Sequence, residues 1–179
     1  MRTVVRAGLL ALLLAACDLS APVWSADYFF PLDFPDIELS DYAVGGVIPD
    51  ADVSFTTPVE SQDITGLPET LLGDDLNSLM VEAITLTTVD VTGTIELSIA
   101  QSPDGLFQDG QSAVVTIPAT QGTDTTYATV DAAVLRNAIA LYYQIRGTVR
   151  GAAGGTPVGP TDMVGINVNL LVNYQVVSK

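Results

Sequence analysis

Asp and Glu are the abundant ionisable residues of this chain, 21 of 179, and they define what chemistry is open to it. Two runs bring carboxylates together in loop-like sequence: Asp50-Ala51-Asp52 and Asp74-Asp75-Leu76-Asn77. Ca²⁺ takes about six to eight oxygens, and clustered carboxylates with loop carbonyls supply them. Neither run has the EF-hand pattern of alternating acids, a central Gly and a closing Glu. Asp50, Asp52, Asp74 and Asp75 are therefore weak metal candidates, and the expectation is solvated turns with no cofactor. A carboxylate pair facing across a cleft would support glycoside hydrolysis. A chain this rich in acids offers such pairs by chance.

The missing residue types exclude more. There is no His and one Cys, so Ser-His-Asp and Cys-His catalysis, His-ligated metals and an internal disulfide are all closed. A Ser or Thr nucleophile would need a base, and past the N-terminal segment the sole Lys is Lys179 at the chain end. No G-x-S-x-G elbow occurs. Gly151-Ala152-Ala153-Gly154-Gly155 lacks the Lys of a phosphate loop and reads as a flexible connection. The chain is not expected to be an enzyme. A net charge of -15 and a pI near 4.1 argue against nucleic acid, which needs a basic patch.

The few cations are more informative than the many acids. Residues 141–150 and 164–176 alternate, as two half-buried strands do. Joined as a hairpin about Thr156-Pro157, they would set Arg146 opposite Asn167 and Gln144 opposite Asn169, with Arg150 nearer the loop. That face could take an acidic or carbohydrate partner through bidentate contacts. The plainer reading is an ordinary solvated sheet face, with Arg partly neutralising nearby acids.

The N-terminus carries an address. Arg2 and Arg6 precede an apolar run from Ala7 to Ala16, too short to cross about 30 Å of hydrocarbon. The run closes with Leu14-Ala15-Ala16-Cys17, which resembles the lipobox of bacterial lipoprotein precursors. The resemblance covers the first 17 residues. It implies that residues 1–16 are a signal peptide and that Cys17 receives a diacylglycerol. Residues 17–22 would then be the lipidated Cys and a tether, and 23–179 a single domain in the cell envelope, on the periplasmic or extracellular side. Several acyl chains anchor stably where one is marginal. The mature chain would keep Arg136, Arg146, Arg150 and Lys179 against all 21 acids. Anionic head groups would repel so acidic a domain and hold it off the surface. Asp18 resembles the retention signal at the inner membrane of enteric lipoproteins; it could equally open the tether.

The domain reads as β throughout. Trp24, Ala26, Tyr28, Phe30, Leu32 and Phe34 alternate, as do Val53, Phe55, Thr57 and Val59. Residues 36–49 read as irregular, and 60–77 as a long connection with a helical turn over 69–72. A strand pair is expected from 79–87 and 89–99, with Gly93 on the apolar face marking a bulge or close crossing. Ser102-Pro103-Asp104-Gly105 and Asp109-Gly110 are turns. Ala113–Pro118 is a short strand, 121–126 a polar loop, and 131–139 a short helix capped by Asp131. The fold class is an all-β antiparallel sandwich of about seven to eight strands with one short helix.

Three functions compete. A lipid-anchored module with a non-catalytic binding or structural role needs only the anchor and a surface, with an envelope protein or glycan as partner. A carrier or chaperone for an apolar ligand needs an open interior, yet the inward positions are mostly Val, Ile, Leu and Tyr. A hydrolase using carboxylates alone needs two of them facing across a cleft.

Overall fold

A computed structural model describes residues 23–64 and 76–177. Cys17 and its tether, Asp74, Asp75 and the helical turn expected over 69–72 lie outside the described residues. The strands are β1 (Val23–Leu32), β2 (Ile37–Glu38), β3 (Val47–Ile48), β4 (Val53–Thr56), β5 (Glu60–Asp63), β6 (Leu76–Ala100), β7 (Ser112–Val130), β8 (Ala140–Gly151), β9 (Thr156–Pro157) and β10 (Met163–Val177). The pairings are antiparallel, with order β1-β10-β6-β8-β4. Strand β7 adds to β6, β5 to β8 and β2 to β10, and β3 pairs with β9.

The sandwich is made by bending one long hairpin. The β6–β7 register runs from Leu79↔Val130 to Thr87↔Gly122, breaks, and resumes at Thr92↔Thr120. More residues of β6 than of β7 fill the break, so both strands bend there, as at a β-bulge. On one side of the bend β6 pairs with β10, from Leu76 to Thr87. On the other it pairs with β8, from Val91 to Ala100. Layer one is thus β1, β10, the first half of β6 and the second half of β7. Layer two is β4 and β5, β8, the second half of β6 and the first half of β7.

Side-chain alternation fills the space between the layers. Leu79, Val81, Ala83, Val91, Ile95, Leu97 and Ile99 of β6 are buried, all on odd positions. Val164, Ile166, Val168, Leu170 and Val172 meet them from β10, and Leu141, Tyr143, Ile145 and Val149 from β8. Each such side chain contributes about 1.5–3 kcal/mol by leaving water. Tyr143 ties the layers together. Its ring lies 4.5 Å from that of Phe34, and its hydroxyl donates to the Asp33 carbonyl at 2.9 Å, just past β1.

Several sequence expectations are corrected here. Residues 141–150 and 164–176 do not form a hairpin, because β6 runs between them and pairs with each along a different half. Alternation reports which face is inward; it does not name the neighbour. Residues 79–99 are one continuous strand rather than a pair. Residues 121–126 belong to β7. Their Thr-rich sequence suits an exposed strand, which needs no apolar residues outward. The expected helix over 131–139 is a single 3-10 turn, Ala132–Leu135. Asp131 does cap it, accepting from the Ala133 N–H at 2.9 Å, but Arg136 is already extended and Asn137 left-handed at φ 60. Residues 36–49 contain β2, a 3-10 turn over Leu39–Tyr42, and β3. Gly93 marks a close crossing: a Cβ there would collide with the Thr148 carbonyl of β8.

Candidate functional site

The outward positions of layer two form polar rows across its strands. Pairing Thr56↔Arg146 and Arg146↔Glu96 makes one row. Pairing Ser54↔Thr148 and Thr148↔Thr94 makes the next. These six residues surround a groove of about 350 Å³. Gly147 lies in its lining, where a Cβ would strike the Thr94 carbonyl and the Phe55 ring. The strands approach this closely only because residue 147 has no side chain.

Arg146 is held from two sides. Its Nε donates to Glu96 Oε2 at 2.7 Å. Its guanidinium carbon lies 4.0 Å from the centroid of the Phe107 ring, a cation–π contact. Phe107 is itself constrained: its backbone is left-handed at φ 58. Its N–H donates to Ser98 Oγ at 2.9 Å, and Ser98 is fully buried. A left-handed non-Gly residue costs on the order of 1–3 kcal/mol and persists only where its surroundings enforce it. Here the buried hydroxyl enforces it, and the result is a ring fixed beneath the guanidinium. The Nη atoms of Arg146 and Oε1 of Glu96 make no further hydrogen bond among the described residues. Nor do the hydroxyls of Ser54, Thr56, Thr94 and Thr148.

The other sequence candidates have different tasks. Arg150 is tied to Asp50, with Nε at 2.8 Å and Nη2 at 2.7 Å from Oδ1. That hydrogen bond, the Asp50 charge and the Asp52 charge raise the Arg150 pKa, with desolvation opposing. Asp50 is thus paired with a guanidinium, and Asp52 adds its charge to the field on the same arginine. Among the described residues, no three His, Cys, Asp or Glu side chains are grouped to hold a metal. Gln144 donates to the Thr57 carbonyl at 2.8 Å and fastens the chain between β4 and β5.

Asn167 and Asn169 are on layer one, beyond the bend of β6. Asn167 pairs with Ile84, whereas Arg146 pairs with Glu96, so the single face of Arg146, Arg150, Gln144, Asn167 and Asn169 does not exist. Asn169 belongs to a second cluster, donating to Glu82 Oε2 at 2.8 Å. The Tyr127 hydroxyl donates to Glu82 Oε1 at 2.8 Å, and this bond to a carboxylate raises the Tyr127 pKa. Sequence reasoning missed Glu96, Ser98 and Phe107. Nothing local in the sequence brings Phe107 beneath Arg146.

No protein-family model matches the chain. No curated protein matches it significantly. Among solved structures, it is similar to that of TmCBM61 in complex with β-1,4-galactotriose, at 14% identity, covering 89% of this chain and 90% of that one, with a TM-score of 0.30. It is also similar to desmodium yellow mottle tymovirus, at 12% identity, covering 89% of this chain and 91% of that one, with a TM-score of 0.30.

Proposed function

We propose that this protein is a lipid-anchored, non-catalytic binding module of the bacterial cell envelope, working through the outer face of layer two. The observation that carries the binding face is Arg146, oriented by Glu96 and the Phe107 ring, with no hydrogen bond from its Nη atoms to another described residue. Pinning an arginine in the free protein removes rotamer entropy that binding would otherwise cost. A purely solvated charge needs no such support. The anchor rests on Leu14-Ala15-Ala16-Cys17 behind its apolar run. The carrier reading is weaker because Ile95, Ile99, Ile117, Leu141, Ile145 and Leu170 are fully buried at the inward positions where a ligand would sit. The hydrolase reading is weaker because Glu96 and Asp50 are each paired with an arginine.

Two measurements test this. Cys17→Ser should abolish fatty-acid labelling and release the protein from membranes; a mutant still held on membranes in high salt refutes the anchor. The solubilised protein should sediment with purified envelopes, and Arg146→Met should weaken this about tenfold, the worth of a lost charged hydrogen bond. Equal sedimentation of the two would refute the binding face.

A further inference from the structure

We infer that the Arg146–Glu96 groove takes a neutral saccharide, an inference that rests on the binding-face reading above. The unused groups define the ligand. Glu96 Oε1 only accepts hydrogen bonds, the Arg146 Nη atoms only donate them, and the hydroxyls of Ser54, Thr56, Thr94 and Thr148 do both. They lie at strand spacing, about 4.8 Å from row neighbour to row neighbour. Ring hydroxyls of a sugar each donate and accept, and adjacent ones answer a carboxylate and a guanidinium side by side.

Other ligand classes fit less well. A phosphate or carboxylate would meet the Glu96 carboxylate 2.7 Å from Arg146, the only cation among the described residues that line the groove, on a chain of net charge -15. An apolar ligand would cover these polar groups without satisfying them. A peptide adding as a strand needs a free sheet edge. The free edge here is the outer side of β4, the last strand of its sheet, and a strand added there would leave Arg146 and Glu96, one and two strands further in, unanswered. The volume is at the small end for ligand sites, room for a sugar unit or two and not for a large cofactor. Because the groove opens on a sheet face, the unit can belong to a longer chain.

The comparison cluster on layer one shows why Glu96 is the binding carboxylate. Glu82 has both oxygens engaged, by Tyr127 and Asn169. Glu96 has one oxygen engaged, and its partner keeps donors in reserve. Phe107 is a positioning residue: it acts on the ligand through Arg146.

The test is affinity electrophoresis of the detergent-solubilised full chain in gels carrying neutral polysaccharides (glucan, galactan, mannan, xylan) or acidic ones (alginate, polygalacturonate). The wild type should be retarded by at least one neutral polymer. Arg146→Met and Glu96→Gln should each lose about tenfold in affinity for it. Phe107→Leu should lose less, with wild-type preference among polymers retained. Arg150→Met, whose guanidinium is tied to Asp50 outside the groove, should migrate as the wild type does. Melting curves confirm that each variant is folded. Retardation by acidic polymers alone, by none, or unchanged in both Arg146→Met and Glu96→Gln, overturns the saccharide assignment. If no polysaccharide binds but sedimentation with envelopes still depends on Arg146, the saccharide fails and the binding face stands. If both fail, both readings fall.

Discussion

The two layers carry the same device on their outer faces, a glutamate of β6 bridging to a neighbouring strand, and they use it differently. On layer one, Glu82 is saturated by Tyr127 from β7 and Asn169 from β10. On layer two, Glu96 holds Arg146 through one oxygen, and Phe107 supports the guanidinium from below. A saturated cross-strand cluster has nothing left for a ligand, and its value is to fix strands. A pinned but unsaturated one adds little to stability and has its hydrogen-bonding capacity left over. Position on a sheet face therefore says less about function than the count of groups still unpaired.

The largest test of this contrast lies beneath the faces. Val168→Asp, adjacent to Asn169, puts an unpaired charge in the core of layer one and should cost about 4 kcal/mol or more. Urea unfolding measures it, and a loss comparable to that of an outward substitution would refute the face assigned to β10. Next is Gly93→Ala in layer two. The added methyl meets the Thr148 carbonyl, a backbone atom that cannot rotate away, so about 1–3 kcal/mol should be lost. An unchanged melting temperature would mean that β6 and β8 are not so closely apposed.

The outer faces follow. Asn169→Asp removes the donor to Glu82 and sets a second carboxylate against it, for a loss of about 1 kcal/mol. Arg146→Met breaks a half-exposed ion pair and should cost at most about 0.5 kcal/mol. If Arg146→Met proved the more destabilising, the saturated and unsaturated clusters would have exchanged roles.

The smallest effect is one of pH. Burial, and then the charges of Glu60 and Asp33, raise the Tyr143 pKa above its ordinary 10.0. The folded state therefore holds this proton more tightly than the unfolded chain does. The contribution is complete below pH 10 and is lost as pH rises through the raised value. Tyr143→Phe should flatten the fall in melting temperature between neutral pH and about pH 11. An identical fall would place the alkaline sensitivity elsewhere.

Much of the sandwich was legible without coordinates. The inward sets Val164 to Val172 and Leu141 to Val149 follow from period-two alternation alone, because a strand with one buried face can place its apolar side chains in only one way. The Asp131 cap was readable for a similar reason: a side-chain oxygen beside a free N–H acts over two or three residues. The candidate site was half legible. Arg146 was singled out for being scarce. Its supposed neighbours Asn167 and Asn169 came from a hairpin that β6 displaces.

The division between sequence and tertiary structure follows the range of the forces involved. Composition closed histidine and cysteine chemistry, alternation set inward and outward, and Leu14-Ala15-Ala16-Cys17 is the basis of the proposed address. These are properties of single residues and near neighbours. Pairing partners are not local. A strand with both edges open can accept either neighbour, and the bend in β6, where it passes from β10 to β8, decided which rows exist. Only that bend sets Arg146 against Glu96 and Glu82 against Asn169. Phe107 reached Arg146 the same way: a turn strained at φ 58 is stable only once β6 has buried Ser98 beneath it.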